Sequence, residues 1–551
     1  MNPELLRLHF DRISDAPDAI PRLRGFILDL AVLGKLVEQD PNEEPASVDS
    51  GRSGTERQSH DTQPHGIPDS WRLLNLRSIS DQITDGEHAT PQRIQEQQVP
   101  LVTAKNVRDG FMDFSNTDWV SLETATKAWG RCHPSVGDIL LVCVGATTGR
   151  LCVLRDARDM VLVRSVALIR PTSIINVDYL ALALRSPMAQ SQIWKKVKVS
   201  AQPCLYINRI NSLLIPVPPI FEQSRIVAKV KELMGLCDQV ETAQHEREIR
   251  RDRLVLASHY NLNNSANAEA FRRYANFNIN HLSAVTTRPE HIKQLRQTIL
   301  NLAVRGQVVP QDPADEPAPE LFKRIQTERA KLAKEGKSRR QEPLPLSRFD
   351  EPPFELPKQW MWFRLADAGL TQTGTTPPSN NVEYFGDYIP FIRPADLTGT
   401  ITNYSGNGLS TQGVEYSRLI AKNSVLMVCI GSSIGKVNLT DRNVCCNQQI
   451  NTLTPYLEST SRFMSFAMKA DYFQKLVLAN AGMGTLPIIS KGKWEILPVP
   501  LPPLAEQQRI VARVDELIVL CDRLETQLTT AQAESRQLLE AVLHQSLAEA
   551  S

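Results

Sequence analysis

The chain has 551 residues, 42% of them hydrophobic and 22% charged, and a net charge of +1. At about three or four times the usual domain size, it excludes a single core. No run of eighteen apolar residues is present to cross a membrane, the nine scattered cysteines are odd in number and form no C-x-x-C, and neither they nor the ten histidines have metal-ligand spacing.

The opening stretch MNPELLRLHFDRISD carries acidic residues and lacks the basic-then-apolar layout of a signal peptide, so a cytoplasmic location is expected. Residues 1–40 read as a helical frame segment, because Leu, Ile and Ala recur at helical spacing over 23–36 until Gly34 ends the run. Residues 41–66, polar and rich in Pro, Gly and Ser, read as a flexible linker. Residues 67–219 form a first insert, in which VPLVTAK, DILLVCV and MVLVRSVALI predict strands and 178–197 predicts helix. After Pro218 and Pro219 a long helix starts, its seam running through Ile226, Val230, Leu233, Cys237 and Val240 before turning polar at Gln244 and Arg247. That helix opens a central helical region, 220–309.

From here the chain is written a second time. Leu23–Ala46 returns as Leu295–Ala318 with 15 of 24 positions identical, and Pro216–Glu241 returns as Pro500–Glu525 with 16 of 26 identical. Residues 310–355 are a second linker containing a charged helix, Ala318–Gln341, read as exposed and ending in a basic run. Residues 356–503 are the second insert, with strands YIPFIRP, SVLMVCI and INTLTP and helix near 461–479. Residues 504–551 form the closing helix, whose apolar or small positions Ile510, Val514, Leu517, Cys521, Leu524, Leu528, Ala531, Ser535, Leu538 and Val542 keep a four-three spacing. The inserts agree only in outline, through Trp71 with Trp360 and LLVCVGATTGR with LMVCIGSSIGK. Because the chain begins within one frame unit and ends within another, its N-terminal and C-terminal segments are expected to associate to complete the second unit, which predicts a pseudo-two-fold molecule with neighbouring termini. Charge follows the same division: residues 66–215 carry +4, residues 356–499 carry +3, and the remainder carries −6.

No motif supplies catalysis. GATTGRL (145–151) and GSSIGKV (431–437) are each one residue short of a Walker loop, and Leu151 or Val437 stands where the magnesium-binding hydroxyl belongs, so a glycine turn between strands is the simpler account. EPPF (351–354) resembles the N/D-P-P-Y/F signature of amino-methyltransferases, but its first residue is wrong and no glycine-rich cofactor unit precedes it.

The duplicated frame, the PLPP-x-x-EQ-x-RIV entry into a heptad helix, and LAVxG followed by QDP together resemble the specificity subunits of type I restriction-modification systems. The resemblance spans nearly the whole chain and implies an α+β fold, in which two mixed α/β target recognition domains are joined by long paired coiled-coil helices. It further implies that the chain is not itself an enzyme. Each insert would read one half of a gapped site on double-stranded DNA while the helices set the spacer. Two modification subunits would dock and bind S-adenosylmethionine, and motor-nuclease subunits would join with ATP and magnesium; no cofactor and no membrane is expected for this chain. Candidate DNA-binding residues are those able to donate to or accept from base edges and phosphates in loops and strand ends. In the first insert these are Thr84, His88, Lys105, Asn106, Arg150, Arg164, Lys198 and Gln202; in the second they are Thr375, Arg393, Lys436, Asn447, Gln448, Gln449 and Thr485. The competing reading is a helical scaffold whose inserts bind proteins, which near-neutral charge suits equally well.

Overall fold

The computed structural model describes residues 16, 18–46, 67–198, 203–265, 267–335, 352–483 and 486–549. They divide into two compact units, one holding residues up to 248 together with those from 530 onward, the other holding 249–529. The division falls inside the two long helices, so each unit contains one insert with the frame segments that pack on it.

In the first unit the frame helix α1 (Ala19–Val32) buries Phe26, Ile27, Leu30 and Ala31, the face its spacing predicts. The insert enters on β1 (Arg72–Asn75) and leaves on β9 (Leu214–Val217), which pair antiparallel from Arg72 with Val217 to Asn75 with Leu214. Between them, β2 (Ser80–Asp85), β5 (Ile139–Val142), β6 (Leu151–Val153) and β8 (Val166–Pro171) form an antiparallel sheet in the order β2-β8-β5-β6. A second sheet, β4-β3-β7, sets β3 (Val99–Val102) antiparallel to β4 (Asp118–Val120) and parallel to β7 (Val161–Leu162). Helix α2 (Leu122–Trp129) follows β4. The stretch expected as helix near 178–197 is two helices, α3 (Val177–Arg185) and α4 (Pro187–Lys196), because Ser186 adopts a non-helical conformation and caps α4 ahead of its first-turn proline. Helix α5 (Ile220–Asn263) continues well past the point where its seam turns polar.

The second unit repeats this plan after α6 (Ala268–Val285). Helix α7 (Pro289–Ala303) stands for α1, and α8 (Ala318–Lys334) follows. Helix α8 was expected to be exposed; instead Ala318, Leu321 and Ile325 are buried in the unit core, and its basic end beyond Glu335 lies outside the described residues. Strands β10 (Met361–Arg364) and β22 (Pro498–Leu501) carry the insert in and out. The main sheet, β11-β19-β16-β17, uses β11 (Gly369–Thr373), β16 (Val425–Val428), β17 (Val437–Leu439) and β19 (Ile450–Pro455). Beside it β18 (Val444–Cys446) runs parallel to β13 (Phe391–Ile392) and antiparallel to β15 (Leu419–Ile420). Two short ribbons, β12 (Phe385–Gly386) with β14 (Gly408–Leu409) and β20 (Gly482–Met483) with β21 (Pro487–Ile488), complete the strands. Helix α9 (Thr411–Glu415) follows β14; α10 (Ser461–Lys469) and α11 (Asp471–Asn480) stand for α3 and α4, and α12 (Leu504–Glu549) closes the chain.

The repeated motifs are explained by what they bond. In the first turn of α5, Glu222 is 1% exposed; its carboxylate accepts from the Trp71 indole at 3.0 Å and the Gln39 amide at 2.5 Å. In α12, Glu506 accepts from Trp360 at 2.9 Å and Gln311 at 2.5 Å. Burial raises both carboxyl pKa values, and the two donors in each site oppose that rise. Gln223 and Gln507 donate to Pro218 and Pro502 carbonyls, each at 2.9 Å, and Arg225 and Arg509 pair with Glu43 and Asp315. Arg24 grips Asp238 and Glu241 as Arg296 grips Asp522 and Glu525. Gly34 and Gly306 have φ of +70° and +69°, and a Cβ would lie 2.4 Å from Pro68 or 2.8 Å from Pro357, so glycine both ends the short helix and admits the chain that brings in the tryptophan.

Seam residues Ile226, Val230 and Cys237 bury in the first core; Ile510, Val514 and Cys521 bury in the second. Ala531 breaks the pattern and is exposed. The chain's end segments do meet, but they complete the first unit rather than the expected second: Ala16 and Ala19 pack on Leu539 and Val542, and Arg22 pairs with Glu540 at 2.5 Å, because the last stretch of the closing helix packs on the short frame helix of the first unit.

One paired position differs in charge. Asp29 accepts from the Met188 N–H at the start of α4, whereas Asn301 accepts from the Asp471 N–H at the start of α11. Burial raises the Asp29 pKa to about 6, so the folded state holds its proton more tightly than the unfolded chain, and stability is lost as pH rises through about 6. Asp29→Asn is therefore expected to stabilise the protein at pH 7.5, on the order of 1 kcal/mol after discounting for remaining solvent exposure. The gain should shrink toward zero near pH 4, as read by thermal unfolding at both pH values.

Candidate nucleic-acid interface

Within each unit, the main sheet gathers one set of its loops along a single edge. In the first unit Asp85 lies opposite Ala167, which lies opposite Leu141, so the end of β2, the start of β8, the end of β5 and the start of β6 share one edge. Ser165 ties the loops there: its carbonyl accepts from Cys143 N–H at 2.8 Å and its hydroxyl accepts from Ala104 N–H at 3.3 Å. The Gly145 N–H reaches the Pro203 carbonyl at 2.9 Å, which brings the segment after α4 to the same place.

The candidates gather at this edge. Thr84 is half-buried on β2, and exposed His88 meets Asp85 at 3.0 Å. Arg150 closes the glycine turn, Arg164 follows β7, and Lys198 faces solvent; none of these three cations has an ion pair among the described residues. Lys105 is exposed but neutralised by Asp118 at 3.1 Å. Asn106 behaves differently from its expected role. It is 1% exposed, its carbonyl oxygen accepts from Thr103 N–H at 3.0 Å, and its amide donates to Asp113 and Asn116 carbonyls and the Thr117 hydroxyl. Its polar atoms are spent on holding a turn. Gln202 lies outside the described residues.

The second unit places its candidates at the matching edge. Thr373 lies opposite Asn451, which lies opposite Met427, and the Cys429 N–H reaches the Gln449 carbonyl at 2.7 Å, as Cys143 reaches Ser165. Asn447 and Gln449 lock each other: the Asn447 amide donates to Gln449 Oε1 at 3.0 Å, and Gln449 N–H donates to Asn447 Oδ1 at 3.1 Å. Exposed Gln448 accepts from the Thr376 hydroxyl, joining the loop after β11 to the loop after β18. Thr375 is half-buried in that first loop. Arg393 follows β13 and lies over the Phe391 ring at 5.5 Å; Lys436 projects from the glycine turn, and both are exposed without an ion pair among the described residues. Thr485 lies outside the described residues.

GATTG and GSSIG are hairpin turns between β5 and β6 and between β16 and β17. Gly145, Gly149, Gly431 and Gly435 all have φ between 87° and 98°. A Cβ at Gly149 or Gly435 would also lie 2.4 Å or 2.1 Å from Gln190 or Gln474. Among the described residues, no group of three or more His, Cys, Asp and Glu could hold a metal ion, and no helix is long and apolar enough to cross a membrane.

Sequence reasoning missed two arginines at this edge. Arg131 reaches the carboxylate and carbonyl of Asp85, and Arg418 reaches the carbonyl of Thr373. The pairing is hidden because, aligned on the glycine turns, Arg131 falls opposite Ser417 and Arg418 opposite Cys132.

Residues 357–532 match the family model described as the type I restriction modification DNA specificity domain. The EcoAI specificity subunit of a type I restriction enzyme from Escherichia coli is 30% identical, in an alignment covering 95% of this chain and 93% of that protein. The EcoEI specificity subunit, also from Escherichia coli, is 29% identical with the same coverage, 95% and 93%. A solved chain from a study of complex assembly and conformational transition of the type I R-M system is 19% identical, covering 87% of this chain and 98% of that one, with a TM-score of 0.48.

Because Asn106 is buried and fully bonded, Asn106→Ala is expected to cost about 1–3 kcal/mol of stability by leaving turn groups without partners. Denaturant unfolding reads this directly, and an unchanged midpoint would return Asn106 to the candidates for DNA contact.

Proposed function

The chain belongs to the specificity subunits of type I restriction enzymes, and we propose that the loop edge of each insert reads one half of a split DNA site. The observation that carries this is the convergence of candidate donors and acceptors at the same edge of two matching sheets whose loop sequences differ. The cations Arg150, Arg164 and Lys198 in one unit, and Arg393 and Lys436 in the other, which have no ion pair among the described residues, suit phosphate contacts. Gln448, Gln449 and Asn447 suit adenine, whose N6 and N7 pair with a side-chain amide in the major groove.

The long helices suit the role of spacer. An α-helix of 44 residues, the length of α5, extends roughly 66 Å at 1.5 Å per residue, well over one turn of DNA. Under this reading the helices also carry two methyltransferase subunits, and motor-nuclease subunits complete the assembly. S-adenosylmethionine, ATP and magnesium belong to those partners, adenine is flipped by the methyltransferase, and the whole works in the cytoplasm.

Adenine methylation mapped by single-molecule sequencing, in cells expressing the cognate modification subunit with and without this chain, tests the proposal. A gapped motif appearing only with the chain is expected; its absence beside an active modification subunit would favour a protein-binding scaffold. Replacing Gln448 and Gln449 together by alanine is expected to relax the second half of that motif by about tenfold in discrimination, leaving the first half intact. Unaltered recognition of both halves would remove the two glutamines from the reading surface.

A further inference from the structure

Two arginines that the repeat does not align make the same bond in both units. Arg131 lies just beyond α2, and Arg418 just beyond α9. Nε of Arg131 donates to the carbonyl oxygen of Asp85 at 3.2 Å; Nη1 of Arg418 donates to the carbonyl oxygen of Thr373 at 2.7 Å. Asp85 and Thr373 are the last residues of β2 and β11 and occupy the same rung, opposite Ala167 and Leu141 in one sheet and opposite Asn451 and Met427 in the other.

The residue that follows is glycine in both copies, and both glycines are compressed against the neighbouring parallel pair. The Gly86 N–H donates to the Val166 carbonyl at 3.3 Å and the Gly374 N–H to the Ile450 carbonyl at 3.0 Å. A Cβ on Gly86 would lie 2.1 Å from the Leu162 carbonyl, and one on Gly374 would lie 2.2 Å from the Asn447 carbonyl oxygen. Each loop therefore leaves its strand through a glycine pressed on backbone, with an arginine bound to the carbonyl immediately before it. The second unit adds the Ser417 hydroxyl, which donates to the Thr375 carbonyl at 2.7 Å.

We infer that Arg131 and Arg418 are positioning residues, each fixing the path of the loop that reads its own half-site; this rests on the reading proposed above. The carbonyl bond is the shared element and charge is not. Arg131 also meets the Asp85 carboxylate at 2.5 Å, which cancels its charge, whereas Arg418 bonds a neutral carbonyl. A device kept in two inserts of divergent sequence, with different net charge, points to geometry as its purpose. A backbone carbonyl can be gripped whatever side chain the loop carries, so the brace tolerates changes in the bases being read.

The test uses the full chain assembled with its modification subunits, carrying Arg131→Ala, Arg131→Lys, Arg418→Ala or Arg418→Lys, with methylation mapping and binding to the wild-type motif measured against salt. The Arg131 variants are expected to blur only the first half-site and the Arg418 variants only the second. Discrimination should fall about tenfold, the salt slope should stay unchanged, and lysine should not restore it, because its flexible chain carries a single terminal donor and lacks the rigid planar group that sets Nε or Nη1 against the carbonyl. Unchanged motifs would overturn the inference. So would uniform loss of affinity with a salt slope smaller by about one and rescue by lysine, which mark a direct phosphate contact. Where an alanine variant fails to assemble, the lysine variant is read by the same criteria. A wild-type assembly that writes no two-part motif would instead overturn the underlying reading, and the brace with it.

Discussion

Each unit is organised around one buried carboxylate at the start of a long helix. Glu222 and Glu506 are almost wholly removed from water, yet each is met by an indole N–H and a glutamine amide, so the desolvation cost is offset by two directed bonds. The first-turn position adds the favourable end of the helix dipole. These bonds join three distant stretches: the segment after the short frame helix, the tryptophan at the insert's entry, and the long helix at its exit. Where the insert begins and where the helix begins are thereby tied together.

That tie gives the inserts their freedom. Because β1 pairs with β9 and β10 with β22, each insert enters and leaves through one antiparallel ribbon next to the buried carboxylate. Beyond the ribbon, the parts of the insert that do not pack on the frame helices can change without disturbing the frame, provided the sheet is rebuilt to the same register. The far edge of that sheet then presents loops whose composition differs between copies: TDGEHATPQ against TQTGTT, and Arg164 with Ser165 against Gln448 with Gln449. A constant frame with variable edges is the physical form a specificity subunit requires.

Much of this was legible in the sequence, and the gaps have identifiable causes. The duplication, the ending of the short helices at Gly34 and Gly306, the main strands and the meeting of the chain's end segments, though not the unit they complete, could be read because they rest on local pattern or on repetition. The role of Glu222 could not, since its partner Trp71 is 151 positions away. Asn106 looked like a reader because a polar residue in a loop has the same letter whether it faces water or holds a turn from within. The exposed-helix reading of 318–341 gave weight to its charges over the three-four spacing of Ala318, Leu321 and Ile325, which decides what is buried. Arg131 and Arg418 escaped because a one-residue offset hides them from alignment, while backbone geometry makes them equivalent.

The most direct test is hydrogen exchange on the chain assembled with its modification subunits, comparing a cognate duplex with one altered in both half-sites. The account predicts cognate-specific protection at 84–92, 145–150 and 163–165 in the first unit and at 373–376, 431–436 and 447–449 in the second, with 76–80 and 421–424 at the opposite sheet edges unchanged. Protection confined to those opposite edges, or to the long helices alone, would contradict it.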